Sequence, residues 1–201
     1  MKTCAIIIAA YNADKYILDC YESVKNQIPL EGFTIDLRIG VDGCHKTADV
    51  LRKNKIPFYW SEKNVGAYIT RNSLMAIAPA DVYSIFDADD TMIPDYIKKS
   101  LSVFDFKYPD TTGACMTAKI NCNENLKPIQ RSRIESGGAI TFSHKILESL
   151  GGFYGVRCAA DTDFMYRIKM AGFEIHEISE PLYYRRRHSG SLTKKSDTGI
   201  G

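Results

Sequence analysis

The sequence predicts a single α/β domain with a mostly parallel sheet flanked by helices. Apolar runs of strand length alternate with amphipathic helical spacing through about residue 105, which is the pattern of strands joined by helical crossovers. The first run, residues 4–10, is apolar throughout, as expected of a strand buried on both faces. The 201 residues, 45% hydrophobic and 25% charged, have the composition of one globular domain.

Four strand–helix pairs are predicted in the first half of the chain. Asp14 is positioned to cap the first helix, and Pro94 is placed to begin the fourth. Because consecutive parallel strands are joined by right-handed crossovers, the carboxyl ends of these strands should meet along one edge of the sheet. The predicted strands are residues 4–10, 35–41, 56–60 and 81–86, and the predicted helices are 15–27, 46–53, 67–77 and 94–104.

The second half of the chain is less regular. Its segment 121–138 is polar and is predicted to be a loop or an excursion from the domain. No repeat or linker divides the chain, so one domain over residues 1–201 is predicted. The predicted strands of this half are residues 112–120, 173–178 and 181–187, and the predicted helices are 143–150 and 161–171.

Composition excludes several classes of function. A net charge of +2 does not indicate the basic surface expected of a nucleic-acid-binding protein. The six cysteines include no CxxC pair, which argues against a zinc site or a disulfide framework and favours free thiols in a reducing compartment. The apolar start is too short to span a bilayer and has no signal-peptide cleavage pattern. We therefore expect a soluble cytoplasmic protein without a transmembrane segment, and peripheral contact with the inner face of a membrane is left open.

Polar side chains follow three of the predicted strands. Ligands of such sheets bind beyond the carboxyl ends of the strands. The fourth strand is followed by three carboxylates within four positions, which repel one another unless something positive offsets them. Mg²⁺ or Mn²⁺ bound with a substrate phosphate would do so. The residues concerned are Tyr11 and Asn12, Asp42 with Gly43, and Asp87, Asp89 and Asp90.

Four segments of the chain each stand at a strand end or a helix start: IIIAAYNADKYILDCYESVKNQ, VDG, NVGAYITRN and IFDADDTMIPD. Together, in this order and spacing, they resemble family 2 glycosyltransferases with the GT-A fold. The resemblance runs from about residue 4 to 97 and resumes at about 137 to 193. It implies a nucleotide-binding half of about 1–105, an acceptor-binding half of about 106–193 and a tail of 194–201.

The resemblance implies a nucleotide-sugar site along the strand ends. Tyr11 and Asp42 would contact the base, and Arg71 would lie near the nucleotide. Asp87 would meet the ribose, and Asp89 a Mn²⁺ or Mg²⁺ ion that bridges the diphosphate. The final segment, YYRRRHSGSLT, resembles the part of the family that closes over the diphosphate, so Arg185–Arg187 could add positive charge. The implied donor-site residues are Ala10, Tyr11, Asn12, Asp42, Asn64, Gly66, Arg71, Asp87, Ala88, Asp89 and Gly138, and the implied metal ligands are Asp89, Asp87 and His188.

The same resemblance implies a catalytic base in the second half. The stretch ADTDF stands where the family has an acidic motif, which makes Asp161 the base and Asp163 a supporting residue. An inverting transferase needs a carboxylate that takes the proton from the attacking hydroxyl. Both aspartates also suit the first turn of a helix through capping and the macrodipole, so a structural role stays open.

The implied function is metal-dependent, inverting transfer of a single sugar from a nucleotide-diphosphate donor to an acceptor hydroxyl. UDP is the first expectation for the nucleotide, and the acceptor, in polysaccharide or glycoconjugate synthesis, would be a saccharide, a lipid-linked sugar or a protein. The absence of a QxxRW-type motif and of membrane spans favours single transfer over polymerisation. Val41, Lys46 and Ala160 depart from the family's usual acids. The oligomeric state is open.

Two other functions compete with sugar transfer. A nucleotidyltransferase would share the fold and the need for a metal, but AAYNADKY is not the glycine-rich basic loop expected after its first strand. A nucleotide-sugar-binding module that has lost activity would keep the donor site without the base. The products of donor turnover distinguish the three functions. A glycosyltransferase releases nucleoside diphosphate, a nucleotidyltransferase releases pyrophosphate, and an inactive binding module releases neither.

Overall fold

The computed structural model describes residues 1–104, 113–131, 139–156 and 159–190. Strand and helix alternate through the first half, as the apolar periodicity predicts. The helices are α1 (Ile17–Lys25), α2 (His45–Lys53), α3 (Ala67–Met75), α4 (Tyr96–Ser102), α5 (His144–Leu150) and α6 (Ala160–Met170). The strands are β1 (Lys2–Ala10), β2 (Phe33–Asp42), β3 (Tyr59–Ser61), β4 (Val82–Asp87), β5 (Thr91–Met92), β6 (Ala114–Cys122), β7 (Pro128–Arg131), β8 (Ile140–Ser143) and β9 (Ile175–Arg186).

The nine strands of the described residues form one sheet, in the order β3-β2-β1-β4-β8-β6-β9-β5, with β7 paired to β6. The first four strands are mutually parallel, and β6 also runs parallel to β9. The second half adds antiparallel pairs through β8, which lies between β4 and β6. The predicted α/β class is confirmed, and β8 is the strand that joins the two halves into one sheet.

The sheet separates two hydrophobic cores. Side chains of β1 alternate between them: Ile6 and Ile8 pack into one core, while Ala5 and Ile7 pack into the other. Helices α1, α2 and α4 contribute buried side chains to the first core, and α3, α5 and α6 contribute to the second. A strand covered on both faces must be apolar throughout, which explains the continuous run at the start of the chain.

Several element boundaries differ from the prediction. The third strand lies at Tyr59–Ser61, later than residues 56–60, and α1 begins after Tyr16 with no side-chain cap, so Asp14 does not cap it. The predicted loop 121–138 contains β7, because β6 continues into a hairpin. The two strands predicted near the C-terminal end are one, β9, whose register with β6 shifts around Ala118. Gly138 and the predicted tail lie outside the described residues.

In the described ranges, no helix combines the length and apolar character needed to cross a membrane.

Candidate active site

The carboxyl ends of β1, β2 and β4 meet at one edge of the sheet, as expected from parallel pairing. Ala10 pairs with Val41, and Ala9 pairs with Asp87. Tyr11, directly after β1, is 52% exposed. Asn12 adopts a left-handed conformation with φ of 51°, which an asparagine tolerates better than most residues, and its side-chain oxygen accepts a bond from the Cys44 thiol. The chain therefore turns away immediately after β1 and leaves the Tyr11 ring facing solvent.

Asp42 is buried and holds the loop that leads into α3. Its two carboxylate oxygens accept hydrogen bonds from the backbone N–H groups of Val65 and Gly66, at 2.7 and 2.9 Å. Gly43 lies against this loop so closely that a Cβ there would be 2.6 Å from the Asn64 nitrogen. Gly66, the N-cap residue directly before α3, has φ of 95°, a conformation that favours glycine. Asp42 thus brings Asn64 and Gly66 to the strand ends.

The three aspartates after β4 converge. One carboxylate oxygen from each of Asp87, Asp89 and Asp90 lies within 4.8 Å of the others. Each carboxylate also has a partner: Arg71 lies 2.5 Å from Asp87, His188 Nε2 lies 2.8 Å from Asp89, and the Arg186 N–H donates to Asp90 at 2.8 Å. The cluster is therefore partly compensated by positive and polar groups from α3 and the end of β9.

Burial and mutual repulsion disfavour the charged forms of Asp87 and Asp90. Burial raises the pKa of Asp87 to about 6; the Arg71 guanidinium opposes this, and the neighbouring Asp89 charge adds to it. Burial, followed by repulsion from Asp89 and Asp87, raises the pKa of Asp90 well above its usual range. The Asp87 and Asp89 side chains are 36% and 30% exposed, while Asp90 is only 2% exposed. Asp87 and Asp89 are thus the carboxylates open to a divalent cation, with Asp90 beneath them.

Arg186, at the end of β9, supports the acidic loop from inside. Its Nε donates to the Asp89 carbonyl, and one terminal nitrogen pairs with Asp19 at 2.8 Å. The guanidinium lies over the Tyr16 ring, 4.5 Å from its centre. His188 follows two residues later, and its ring also packs against the Tyr16 ring, with ring centres 4.8 Å apart. The guanidinium of Arg186 therefore bonds the backbone of the acidic loop, whereas His188 bonds the Asp89 carboxylate.

Asp161 lies in the first turn of α6. Its Oδ1 accepts hydrogen bonds from the Tyr68 hydroxyl at 3.1 Å and from the Thr162 N–H at 2.9 Å. With Arg71 and Phe153, among other residues, Asp161 lines a cavity, which is called the cleft below. The Asp161 charge also contributes to the raised pKa of Asp87. The structure therefore brings Asp161, from the second half, beside the Arg71–Asp87 pair of the first half.

Asp163 has a different environment from Asp161. It pairs with Arg167 at 2.8 Å, one helical turn later. Arg167 also donates to the carbonyls of Leu150 and Gly152, and its guanidinium stacks 4.3 Å from the Tyr154 ring centre. Asp163 thus fixes the loop before α6, so of the two aspartates of ADTDF only Asp161 faces the cleft.

The family follows from comparison with known proteins. The sequence model of the family described as "Glycosyl transferase family 2" matches residues 5–172. The chain belongs to glycosyl transferase family 2. A relative from Methanocaldococcus jannaschii, the uncharacterized glycosyltransferase MJ1057, is 27% identical over 110 residues, which are 52% of this chain and 36% of that protein.

Two solved structures share the fold. S. aureus TarS 1–349 in complex with UDP-GlcNAc aligns with a TM-score of 0.77 at 17% identity, over 96% of this chain and 61% of that one. The mannosyltransferase PcManGT from Pyrobaculum calidifontis, in complex with GDP-Man and Mn²⁺, aligns with a TM-score of 0.73 at 16% identity, over 96% and 59%. The predicted GT-A fold is confirmed. The chain spans about three-fifths of the solved structures and about a third of MJ1057.

Two contacts of this family 2 domain were not found from the sequence. Tyr68 meets Asp161 across 93 positions of the chain, and Asn72 meets Phe153 across 81. Both residues lie in the segment NVGAYITRN, in which the resemblance pointed only to Asn64, Gly66 and Arg71. No local periodicity reveals such pairs, because both depend on the packing of α3 against the second half.

Asn72 clamps the loop before α6 to α3. Its side-chain amide donates to the Phe153 carbonyl at 2.7 Å and accepts from the Phe153 N–H at 2.9 Å. A Cβ at Gly152 would lie 2.1 Å from the Asn72 oxygen, so glycine is needed for this approach. The amide therefore fixes the position of the Phe153 ring, which packs against Tyr68 and Phe164.

Asn72→Ala is expected to lower the free energy of unfolding by about 2 kcal/mol, because two partly buried backbone groups lose their partners. Equilibrium unfolding in urea measures this change. The matched control is Ser73→Ala, on the exposed side of the same helix, which should change stability by less than about 0.5 kcal/mol. Equal effects of the two substitutions would contradict the clamp.

Proposed function

We propose that this chain is a metal-dependent, inverting glycosyltransferase that moves a single sugar from a nucleotide-diphosphate donor to an acceptor hydroxyl. One observation carries the proposal: in a family 2 chain, Asp161 lines a cavity together with Arg71, and its charge acts on Asp87, the salt-bridge partner of Arg71. Asp161 and Asp87 come from opposite halves of the sequence. A carboxylate that can accept a proton thus stands beside a site suited to a charged leaving group.

The donor would lie along the ends of β1, β2 and β4. The exposed ring of Tyr11 offers a flat surface on which a nucleotide base can stack. Asp42 holds the loop beside that surface, and each of its oxygens keeps a second lone pair for the base. TarS and PcManGT bind UDP-GlcNAc and GDP-Man, so a UDP-sugar is the first donor to test and a GDP-sugar the second.

Asp87 and Asp89 would hold Mn²⁺ or Mg²⁺, and His188 is the candidate third ligand. All three offer hard or borderline donor atoms. Burial first, and then the charge of Asp89, raise the pKa of Asp87 against the opposing effect of Arg71, so a cation beside these carboxylates would be stabilising. A cation bound there supplies positive charge to the diphosphate as it leaves. Arg71, salt-bridged to Asp87 at the floor of the cleft, adds a fixed positive charge on the same side.

Asp161 would act as the general base. Its carboxylate takes the proton of the acceptor hydroxyl while the hydroxyl oxygen attacks the anomeric carbon of the sugar. The new bond to the acceptor oxygen forms as the bond to the diphosphate oxygen breaks, and the diphosphate leaves with the bonding electrons. Since attack comes from the face opposite the leaving group, the anomeric configuration is inverted.

The acceptor class follows from the chemistry only as far as a hydroxyl. Saccharides, lipid-linked sugars and proteins all supply one, and the pathway would be polysaccharide or glycoconjugate synthesis. The described cysteines, Cys4, Cys20, Cys44, Cys115 and Cys122, are buried free thiols, which supports a reducing, cytoplasmic location.

Donor turnover tests the function. The protein is incubated with Mn²⁺, a panel of UDP- and GDP-sugars and a panel of hydroxyl acceptors, and the nucleotide products are separated by chromatography. We expect nucleoside diphosphate and a glycoside whose anomeric centre, read by proton NMR, is inverted relative to the donor. Pyrophosphate release would instead indicate a nucleotidyltransferase. Donor-dependent thermal stabilisation without any product across both panels would indicate an inactive binding module.

A further inference from the structure

Tyr68 stands between the two halves of the cleft. Its hydroxyl donates to Asp161 Oδ1, and its ring packs against Phe153 with ring centres 5.6 Å apart. The Arg71 guanidinium lies 5.3 Å from the centre of the tyrosine ring. Tyr68 therefore contacts the proposed base directly and the Asp87-paired arginine through its ring.

We propose that Tyr68 is a positioning residue for sugar transfer, which orients the Asp161 carboxylate and keeps it from pairing with Arg71. This inference rests on the proposed function, because it assigns Tyr68 a role only through Asp161. It adds a residue that neither the donor site nor the acidic motif includes.

The hydrogen bonds of Asp161 show how the orientation is set. Oδ1 accepts from both the Tyr68 hydroxyl and the Thr162 N–H. From the residues that the structure describes, Oδ2 accepts no hydrogen bond, so this oxygen is the one available to an acceptor hydroxyl. The Thr162 N–H comes from the residue next to Asp161, whereas the Tyr68 hydroxyl comes from α3, so the tyrosine ties the orientation of the carboxylate to the first half of the chain.

Arg71 is the group from which the carboxylate must be kept. Its Nε is buried and has no hydrogen-bond partner within the described part of the chain. Asp161 and Arg71 line the same cavity, so a carboxylate released by Tyr68 has a strong alternative partner nearby. An aspartate paired with that guanidinium would be a weaker base and would point away from the acceptor.

Tyr68 is suited to hold a proton in this place. Burial, followed by the negative charge of Asp161, raises the pKa of Tyr68 to about 12. The hydroxyl therefore remains a hydrogen-bond donor throughout the neutral pH range. The Phe153 ring, whose backbone Asn72 clamps, limits the movement of the tyrosine ring.

Tyr68→Phe tests the role, since it removes only the hydroxyl. We expect kcat for transfer to fall about ten- to thirtyfold while the KM for the donor stays nearly unchanged, because the loss is one hydrogen bond to a charged group. The melting temperature should fall by only about 2–4 °C. Tyr166→Phe, at an exposed tyrosine of α6, is the matched control and should leave kcat unchanged. A Tyr68→Phe enzyme with wild-type kcat, or one with a raised donor KM and unchanged kcat, would overturn the proposal.

A double-mutant cycle separates action through Asp161 from action elsewhere. In an Asp161→Ala background, Tyr68→Phe should change the remaining rate by less than about twofold. The same ten- to thirtyfold loss in that background would show that Tyr68 works independently of the base, and would overturn the proposal.

The failure of the proposed function gives a different result. If Asp161→Ala leaves transfer unchanged, the base assignment fails, and equilibrium unfolding then decides on Tyr68. We expect the two substitutions to be non-additive by about fivefold in the unfolding equilibrium constant, as for groups in direct contact. Additive unfolding effects would show that Tyr68 does not hold the Asp161 carboxylate, whatever the reaction.

Discussion

Asp161→Asn is expected to lower kcat for sugar transfer by about a thousandfold, within the range of general acid–base contributions. The amide oxygen can still accept the Tyr68 and Thr162 hydrogen bonds, so the start of α6 and the shape of the cleft should persist. The amide cannot take the proton of the acceptor hydroxyl. Steady-state kinetics with a saturating donor measures the loss, and nucleotide binding followed by thermal shift should stay within about threefold of the wild type.

Asp163→Asn is the matched control for this prediction. It lies two residues away in the same helical turn but pairs with Arg167, which fixes the preceding loop. We expect it to lower stability by about 1 kcal/mol, because a partly buried pair weakens, and to change kcat by less than about tenfold. If instead Asp163→Asn abolishes transfer and Asp161→Asn retains it, the two aspartates exchange roles.

The first half of the fold is readable from sequence because its signals are local. A parallel strand buried on both faces must be apolar throughout. The first charged residue after each apolar run, Asp42 or Asp87, therefore indicates where the strand ends. The convergence of those ends is then a consequence of right-handed crossovers. The crossovers therefore predict an acidic cluster at the edge of the sheet, which is where Asp87, Asp89 and Asp90 lie.

The second half of the chain is harder to predict because its elements are short and its contacting pairs are distant in sequence. Strands β7 and β8 have four residues each, too few to show a period of two. Asp163 and Arg167 are one helical turn apart, so their pairing could have been anticipated from spacing. Arg186 meets Asp19 across 167 positions, and no local pattern distinguishes it from the flanking arginines of its run.

The acidic motif illustrates how burial sorts chemically identical residues. Asp89 and Asp90 are neighbours in sequence, yet the strand pairing of β5 with β9 turns Asp90 inward to the Arg186 N–H and leaves the Asp89 side chain 30% exposed. The sequence specifies three carboxylates, but only the packing of β9 decides which of them are exposed to a ligand. This sorting is what makes their substitutions distinguishable.

Asp89→Asn is expected to lower kcat/KM by about a hundred- to a thousandfold, since a cation that neutralises a leaving diphosphate contributes several kcal/mol. The amide keeps the size of the side chain and a partner for His188, so folding should be preserved. Replacing a charged ligand also weakens cation binding. Both the Mn²⁺-dependent rise in melting temperature and the Mn²⁺ activation curve should therefore shift to much higher metal concentration.

Asp90→Asn and Asp49→Asn separate ligation from a general loss of negative charge. Asp90 is buried and its pKa is raised well above its usual range, so a neutral amide is a close substitute for it, and the Mn²⁺ shift should stay within about threefold of wild type. Asp49→Asn, at an exposed carboxylate of α2, should not change Mn²⁺ binding.

Transfer that persists at the wild-type rate in excess chelator would show that the reaction needs no cation. A larger loss of Mn²⁺ binding from Asp90→Asn than from Asp89→Asn would instead place the ion deeper, on the buried carboxylate, and would make His188 a partner of Asp89 rather than of the metal.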